Sequence, residues 1–358
     1  MTKKSIAQWI SVFLMSTTLC QVSSTTRIEA QEQKTITPQG EEYSKIPNLQ
    51  LLKKYESEGT VKLTALNKSG SVAATYFGED YGAQRKVKKL AFWETSKFTK
   101  IAEYNLNCRD ICFGEDENTL LFVDPYGIKE MDIRTGEISL LLEGEFLKAA
   151  YNPLDNNVIF YSDEVDAYYY NRTTKASEHL HTVSEGTAVE PFRFYRFTEN
   201  HLQIMMCRNY TLQIDLRDYT TQKMYTSKDD NFLLDLAFSP DEKWLLRGKS
   251  NHNRLYKHSD YIKQGDRALP VSQFITIDGI NFKTVKFLEG DYILCGLIRN
   301  GLIEVWDMKT LKKVTSFVEE GEFNHGASIA FHPEKRLIVV ASLHGGALFL
   351  QILNYQLL

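Results

Sequence analysis

The chain is built from repeats of itself, and no other feature constrains its fold as tightly. A bulky residue that closes an apolar run and precedes a turn recurs at Leu66, Phe113, Tyr151, Phe197, Phe238, Phe287 and Phe331, with spacings from 38 to 49 residues. Turn chemistry follows these anchors, as in Asn67 to Gly70, Gly114 to Glu117, Asn152 to Asp155, Ser239 to Glu242 and His332 to Lys335. Pro presets φ in such turns, and Asn, Asp and Ser bond the local backbone. An aliphatic run comes next, for instance Thr119 to Val123, Asn157 to Tyr161 and Leu337 to Val340. After a second turn (Asp124 to Gly127, Arg299 to Gly301, His344 to Gly346) the pattern changes to alternation, as in Ile128 to Ile133, Thr211 to Leu216 and Leu302 to Trp306. Period-two alternation marks a half-buried strand. The fourth segment of each unit is the most polar, as in Glu137 to Leu142, Ser177 to Val183 and Lys313 to Val318.

Four strands per unit, with a repeat of this length, predict an all-β, seven-bladed propeller of four-stranded antiparallel blades. The units start near 61, 108, 147, 190, 232, 282 and 326. The last unit runs out after its third strand, Gly346 to Leu353, while an apolar stretch from Asn48 to Ser57 stands unassigned upstream. Pairing that N-terminal strand with the last blade closes the ring and removes the open edges that sheets must avoid. The expected organisation is a signal peptide and cleavage region over 1–30, a polar linker over 31–42 and one propeller over 43–358, with an insertion at Asp260 to Pro270.

Trp306-Asp307, preceded by GLIEV and followed by MKTLKKV, resembles the signature of the WD-repeat β-propellers. LAFSPDE at 236–242 is similar, and MDIRTGE at 131–137 is a weaker echo. Members of that family carry a Gly-His before the first strand and an Asp in the second turn that bonds the Trp. Here Asn300 holds the Asp position, with Asp278 and Glu322 near two of the His positions, so the tetrad is absent. The resemblance implies a binding scaffold whose contact surface is the face holding the second-turn and blade-to-blade loops. Carried onto this chain, that face offers Tyr81 and Arg85, Tyr126, Arg208, His252, Arg299 and His344. Tyr and Arg are the residues most enriched in binding hot spots.

The first residues read as an export signal. Lys3 and Lys4 precede the apolar run Ile6 to Leu19, with small residues at Val22 and Ser24 for cleavage and Ala30 as a second candidate. The run falls short of the roughly 20 residues that span a bilayer. Export to a periplasm or the exterior is the expectation, a cytoplasmic chain the alternative, and no transmembrane helix is expected. Cys20 invites a lipoprotein reading, but Leu19 stands where a small residue is wanted. Cys108, Cys112, Cys207 and Cys295 read as small buried hydrophobes. The first two lie about 13 Å apart on an extended strand, beyond disulfide reach. A net charge of −4 argues against a nucleic-acid partner, and the basic cluster from Arg85 to Lys89 reads as a solvated strand edge.

No catalytic constellation is legible. There is neither a G-x-S-x-G elbow nor a phosphate loop, and His344-Gly345-Gly346 has no nucleophile beside it. His179 and His181 could offer two ligands from one strand, and a zinc ion needs more. Tyr168 to Tyr170 and Phe192 to Phe197 read as blade packing, not as stacking platforms. The expectation is a monomeric, non-catalytic protein- or peptide-binding scaffold without cofactor or metal. The rival is a propeller enzyme, lactonase-like or dehydrogenase-like, with a channel-mouth site; Asp110 and Asp235 are the only first-strand acids it could use.

Overall fold

The structure is a computed structural model. It describes residues 48–56, 60–78, 88–163, 166–182, 193–196, 201–205, 210–225, 233–239, 243–249, 253–257, 274–277, 282–288, 292–297, 302–318, 328–341 and 346–353. The expected signal peptide, linker and Asp260–Pro270 insertion lie outside these residues.

Among the described residues, every regular element is a strand, and the strands form seven four-stranded sheets. Strand β1 is Asn48–Glu56. The first sheet holds β2 Thr60–Leu66, β3 Val72–Gly78, β4 Lys89–Glu94 and β5 Thr99–Tyr104. The second holds β6 Asp110–Phe113, β7 Thr119–Asp124, β8 Gly127–Asp132 and β9 Ile138–Glu143. In the third are β10 Lys148–Asn152, β11 Asp155–Ser162, β12 Asp166–Asn171 and β13 Ala176–Thr182. The fourth contains β14 Arg193–Arg196, β15 His201–Met205, β16 Tyr210–Asp215 and β17 Thr221–Tyr225. The fifth contains β18 Leu233–Phe238, β19 Trp244–Lys249, β20 Asn253–Lys257 and β21 Phe274–Ile277. The sixth is made by β22 Phe282–Phe287, β23 Tyr292–Leu297, β24 Leu302–Asp307 and β25 Lys312–Val318. The last brings β26 Ile329–His332, β27 Leu337–Ala341 and β28 Gly346–Leu353 together with β1.

Every pairing is antiparallel between strands consecutive in sequence, except the one that matters most. β1 runs antiparallel along β28, from Asn48 opposite Leu353 to Glu56 opposite Gly346, with a bulge at Leu52. Leu49 is thereby buried beside Leu348, Leu350 and Ile352. The middle strands are the most apolar, and their burial explains it: Phe92, Leu120, Phe122, Phe160, Phe349 and Leu350 are essentially inaccessible. Aliphatics enter on both faces, as they do in strands buried on both sides.

Two recurring turns position the sheets. At the first turn, neighbours interlock through side chains. His332 Nε2 donates to the Lys68 carbonyl at 2.8 Å, while Asn67 Nδ2 donates to Glu117 Oε2 at 2.8 Å, so the last, first and second sheets are tied in series. Gly70 (φ 63°) permits this, since a Cβ there would lie 2.5 Å from the His332 ring.

The turn between third and fourth strands is shared by five sheets. Asp132, Asn171, Asp215 and Asp307 each accept a backbone N–H from two residues on, at 2.8 to 2.9 Å. Four residues past the start of the turn, the chain enters the left-handed region, at Phe98, Gly136, Lys175, Tyr219 and Leu311. A helical turn closed by a left-handed residue is a standard short hairpin connection. Only one of the five is glycine, and the other side chains have work to do. Phe98 packs on Phe349 of the preceding sheet, ring centroids 5.4 Å apart. Tyr219 stacks on Tyr169 at 4.4 Å and meets Phe160 edge-on. Leu311 joins the cluster of Leu246 and Trp244. Where the residue is Gly136, Tyr104 of the preceding sheet fills the space. Phe98, Tyr219 and Leu311 therefore each drive a wedge into the preceding sheet.

Candidate interaction surface

The second-turn hairpin at Pro125–Tyr126 is the best-defined element of the expected contact face. β7 and β8 pair down to Asp124 opposite Gly127. Asp124 Oδ1 accepts the Tyr126 N–H at 2.8 Å, and Oδ2 takes the Lys129 ammonium at 2.5 Å. Lys129 Nζ also stands 5.8 Å from the centre of the Tyr126 ring. The turn is braced from outside as well, since the Gly144 N–H donates to the Tyr126 carbonyl at 3.1 Å. Gly127 is obligatory: a Cβ there would lie 2.2 Å from the Leu142 carbonyl oxygen. The outcome is a tyrosine 74% exposed on a backbone that cannot easily move. Rigid turns carrying exposed aromatics bind with little loss of conformational freedom.

Of the seven residues expected on that face, Tyr126 is the one the structure describes. Tyr81, Arg85, Arg208, His252, Arg299 and His344 lie outside the described residues. What surrounds Tyr126 is mixed in charge. Arg109 Nη1 donates to the Phe146 carbonyl at 3.0 Å, joining the second sheet to the loop that enters the third.

Asp110, one of the two first-strand acids a channel-mouth site could use, is committed elsewhere. It pairs with Lys148 Nζ at 2.9 Å across to the next first strand, and its other oxygen accepts the Ala149 N–H at 3.3 Å. The carboxylate ties two sheets together. The side chain of Asp235 lies outside the description. No group of three or more His, Cys, Asp or Glu side chains stands in metal-binding proximity among the described residues.

The histidine pair on β13 is bound into its own sheet. A bulge at Leu180 places His179 opposite Tyr168 and His181 opposite Ala167. His179 Nε2 contacts Asp166 Oδ1 at 3.1 Å and Thr182 Oγ1 at 2.8 Å, and Thr182 also donates to Asp166. The residue types are those of a relay, but the geometry is not. A relay needs acid and nucleophile on opposite ring nitrogens, and here both sit on one. Burial, followed by the charges of Asp163 and Asp166, pushes the Tyr168 hydroxyl up to about 12. Tyr168 stacks on Tyr161 (5.0 Å, 14°), Tyr169 on Tyr219, and Tyr170 is buried, so none of the three is a free platform.

Cys108 and Cys112 are free thiols. Burial, then the Asp124 and Asp110 charges, pushes Cys108 up to about 12. Burial pushes Cys112 up to about 11, against a backbone hydrogen bond from Tyr151. Thiols held protonated are poor nucleophiles. The indole of Trp306 donates to Glu304 Oε2 at 2.8 Å on its own strand, a local partner in place of a tetrad. No described helix is long and apolar enough to cross a membrane.

No known protein family and no curated protein sequence matches the chain. Among solved structures it is similar to the β-propeller domain of Cps50 (Swd1) from Myceliophteria thermophila, with a TM-score of 0.63 and 13% identity. The match covers 85% of this chain and 99% of that one. Likeness at this identity establishes architecture: the chain has a β-propeller fold.

Proposed function

We propose that the protein is a non-catalytic scaffold that binds a protein or peptide on the face carrying its second-turn loops. The reading includes a single seven-bladed ring over 43–358 sealed by β1, acting as a monomer after export. The observation that carries it is Tyr126, an exposed aromatic on a hairpin fixed by Asp124, Lys129 and Gly127. The engagement of Asp110 and His179 in internal contacts, and the burial of the Cys108 and Cys112 thiols, fit the same reading. The β-propeller fold shared with Cps50 (Swd1) is compatible with it.

The test is affinity capture from the envelope or culture fluid of the source cells. Tyr126→Ala together with Arg208→Glu and Arg299→Glu is expected to abolish recovery of the partner while leaving the melting temperature near that of the parent. Capture undiminished in the triple variant overturns the assignment of that face. Intact-mass analysis of the exported protein is expected to show a new N-terminus near residue 24 or 30; retention of Met1 overturns export with cleavage.

A further inference from the structure

One of the five wedge positions holds no wedge. Phe98, Tyr219 and Leu311 each press an apolar side chain into the preceding sheet, and Tyr104 covers the gap left by Gly136. In the third sheet the same left-handed position is Lys175, with φ 56°. An open groove of about 470 Å³ lies there, walled on one side by Leu140 and Leu141 and on the other by Tyr170, Arg172, Thr173 and Lys175. Arg172 is already engaged by Glu130 Oε2 at 2.6 Å and by the Asn156 carbonyl at 3.1 Å. Lys175 meets no carboxylate among the described residues, so the groove presents one uncommitted positive charge opposite one apolar wall.

The strand forming the apolar wall is unusual in the same place. β9 is the outer strand of its sheet, with a free hydrogen-bonding edge. Free edges are normally guarded by charge. The other outer strands carry Lys53 and Lys54, Lys100, His179 and His181, Lys223, or Lys312 and Lys313; β9 and the four-residue β21 have no Lys or His, and the one charge on β9 is Glu143 at its end. From Ile138 to Leu142 the strand is uncharged, and Ile138 (39%) and Leu140 (53%) are exposed. A bulge at Leu141 sets two consecutive leucines on the groove wall.

We infer that this groove is a second docking site, which takes an extended peptide segment of another protein by strand addition to β9. Main-chain hydrogen bonds on the free edge supply affinity, and alternate side chains enter the groove, as in other strand-addition complexes. One of them is aromatic or aliphatic and occupies the vacant wedge position. An acidic side chain two residues away, on the same face of the peptide, meets Lys175. A second copy of this chain is the poorer occupant. Antiparallel β9-to-β9 pairing centred on Leu140 sets Glu137 against Glu143 at both ends, and like charges directly opposed are destabilising.

The experiment is fluorescence anisotropy on the full chain with labelled Thr-Leu-Thr-Phe-Thr-Asp-Thr and its reversed order, which cover both strand directions. Saturable binding of at least one is expected. Leu140→Lys is expected to abolish it, and Lys175→Glu to weaken it about tenfold. A peptide with Lys in place of its Asp should recover binding to the Lys175→Glu variant. Lys175→Phe supplies the wedge from within; it is expected to block the peptide while melting at or above the parent temperature, which guards against a loss caused by unfolding. Three results overturn the proposal: no saturable binding of either peptide, binding unaffected by Leu140→Lys or Lys175→Phe, or a dimer in sedimentation velocity that Leu140→Lys dissolves. The Tyr126 face takes no part in these measurements, so failure here leaves that assignment standing, and the reverse holds.

Discussion

Gly127 shows how a single residue sets the geometry of the exposed face. Its missing Cβ lets the Leu142 carbonyl lie against the hairpin. Gly127→Ala is expected to cost about 1–3 kcal/mol, the usual range for forcing atoms into a filled space, and to weaken partner capture because Tyr126 is displaced with the turn. Urea denaturation alongside the capture assay checks both. The two thiols give a pH prediction. Their folded values, about 12 and about 11, lie above the ordinary 9.0. Above pH 9 the unfolded chain therefore releases protons that the folded chain keeps. The stability these groups contribute is complete below pH 9 and is lost as pH rises through 11 to 12. Cys108→Ala with Cys112→Ala should flatten that alkaline decline, as read by melting temperature against pH. In the native protein at pH 8 neither thiol should react with iodoacetamide. At this scale the sequence was informative about residue type and silent about partners. Asp124 and Gly127 could be read as turn formers from their order alone. That Asp110 pairs with a lysine in the next sheet depends on a neighbour 38 residues away; no local pattern encodes it.

Among elements, the turn after each third strand joins local chemistry to long-range packing. Its Asp or Asn is visible in the sequence, as in Asp132 and Asp307, and so are the alternating strands that lead into it. The left-handed residue four positions on is not, because Phe98, Lys175, Tyr219 and Leu311 share a backbone conformation and no chemistry. A left-handed backbone costs a residue with a Cβ about 1–2 kcal/mol, and for Phe98, Tyr219 and Leu311 packing of the side chain on the preceding sheet offsets it. Tyr219 makes the trade measurable. Tyr219→Ala loses the stacking on Tyr169 and keeps the strain, whereas Tyr219→Gly loses the stacking and relieves the strain. The alanine variant is expected to be the less stable of the two in chemical denaturation, by about 1 kcal/mol. The reverse order would show that the turn is unstrained. The seven expected contact residues illustrate a different limit: loop positions can be counted from the repeat, but side-chain presentation depends on bracing such as that from Gly144 to Tyr126.

For the whole molecule, the strand repeat was readable because burial on both faces of the middle strands forces runs such as Leu120 to Val123, while outer strands face water and turn polar. The N-terminal strand was found by elimination, from apolar residues at Leu49, Leu51 and Leu52 that had no other use. Its removal is a direct test: deleting residues 48–56 uncovers the edge of β28 and the Leu348, Leu350 and Ile352 side chains. Such a chain is expected to aggregate or to melt in several steps in calorimetry, where the parent melts in one. The same pairing has a temporal consequence. β1 leaves the ribosome early, and its partner β28 is made after all the other described strands. Sequence-distant contacts of this kind form slowly, so the last sheet is the last to assemble, and its edge stays open until synthesis has passed Leu353.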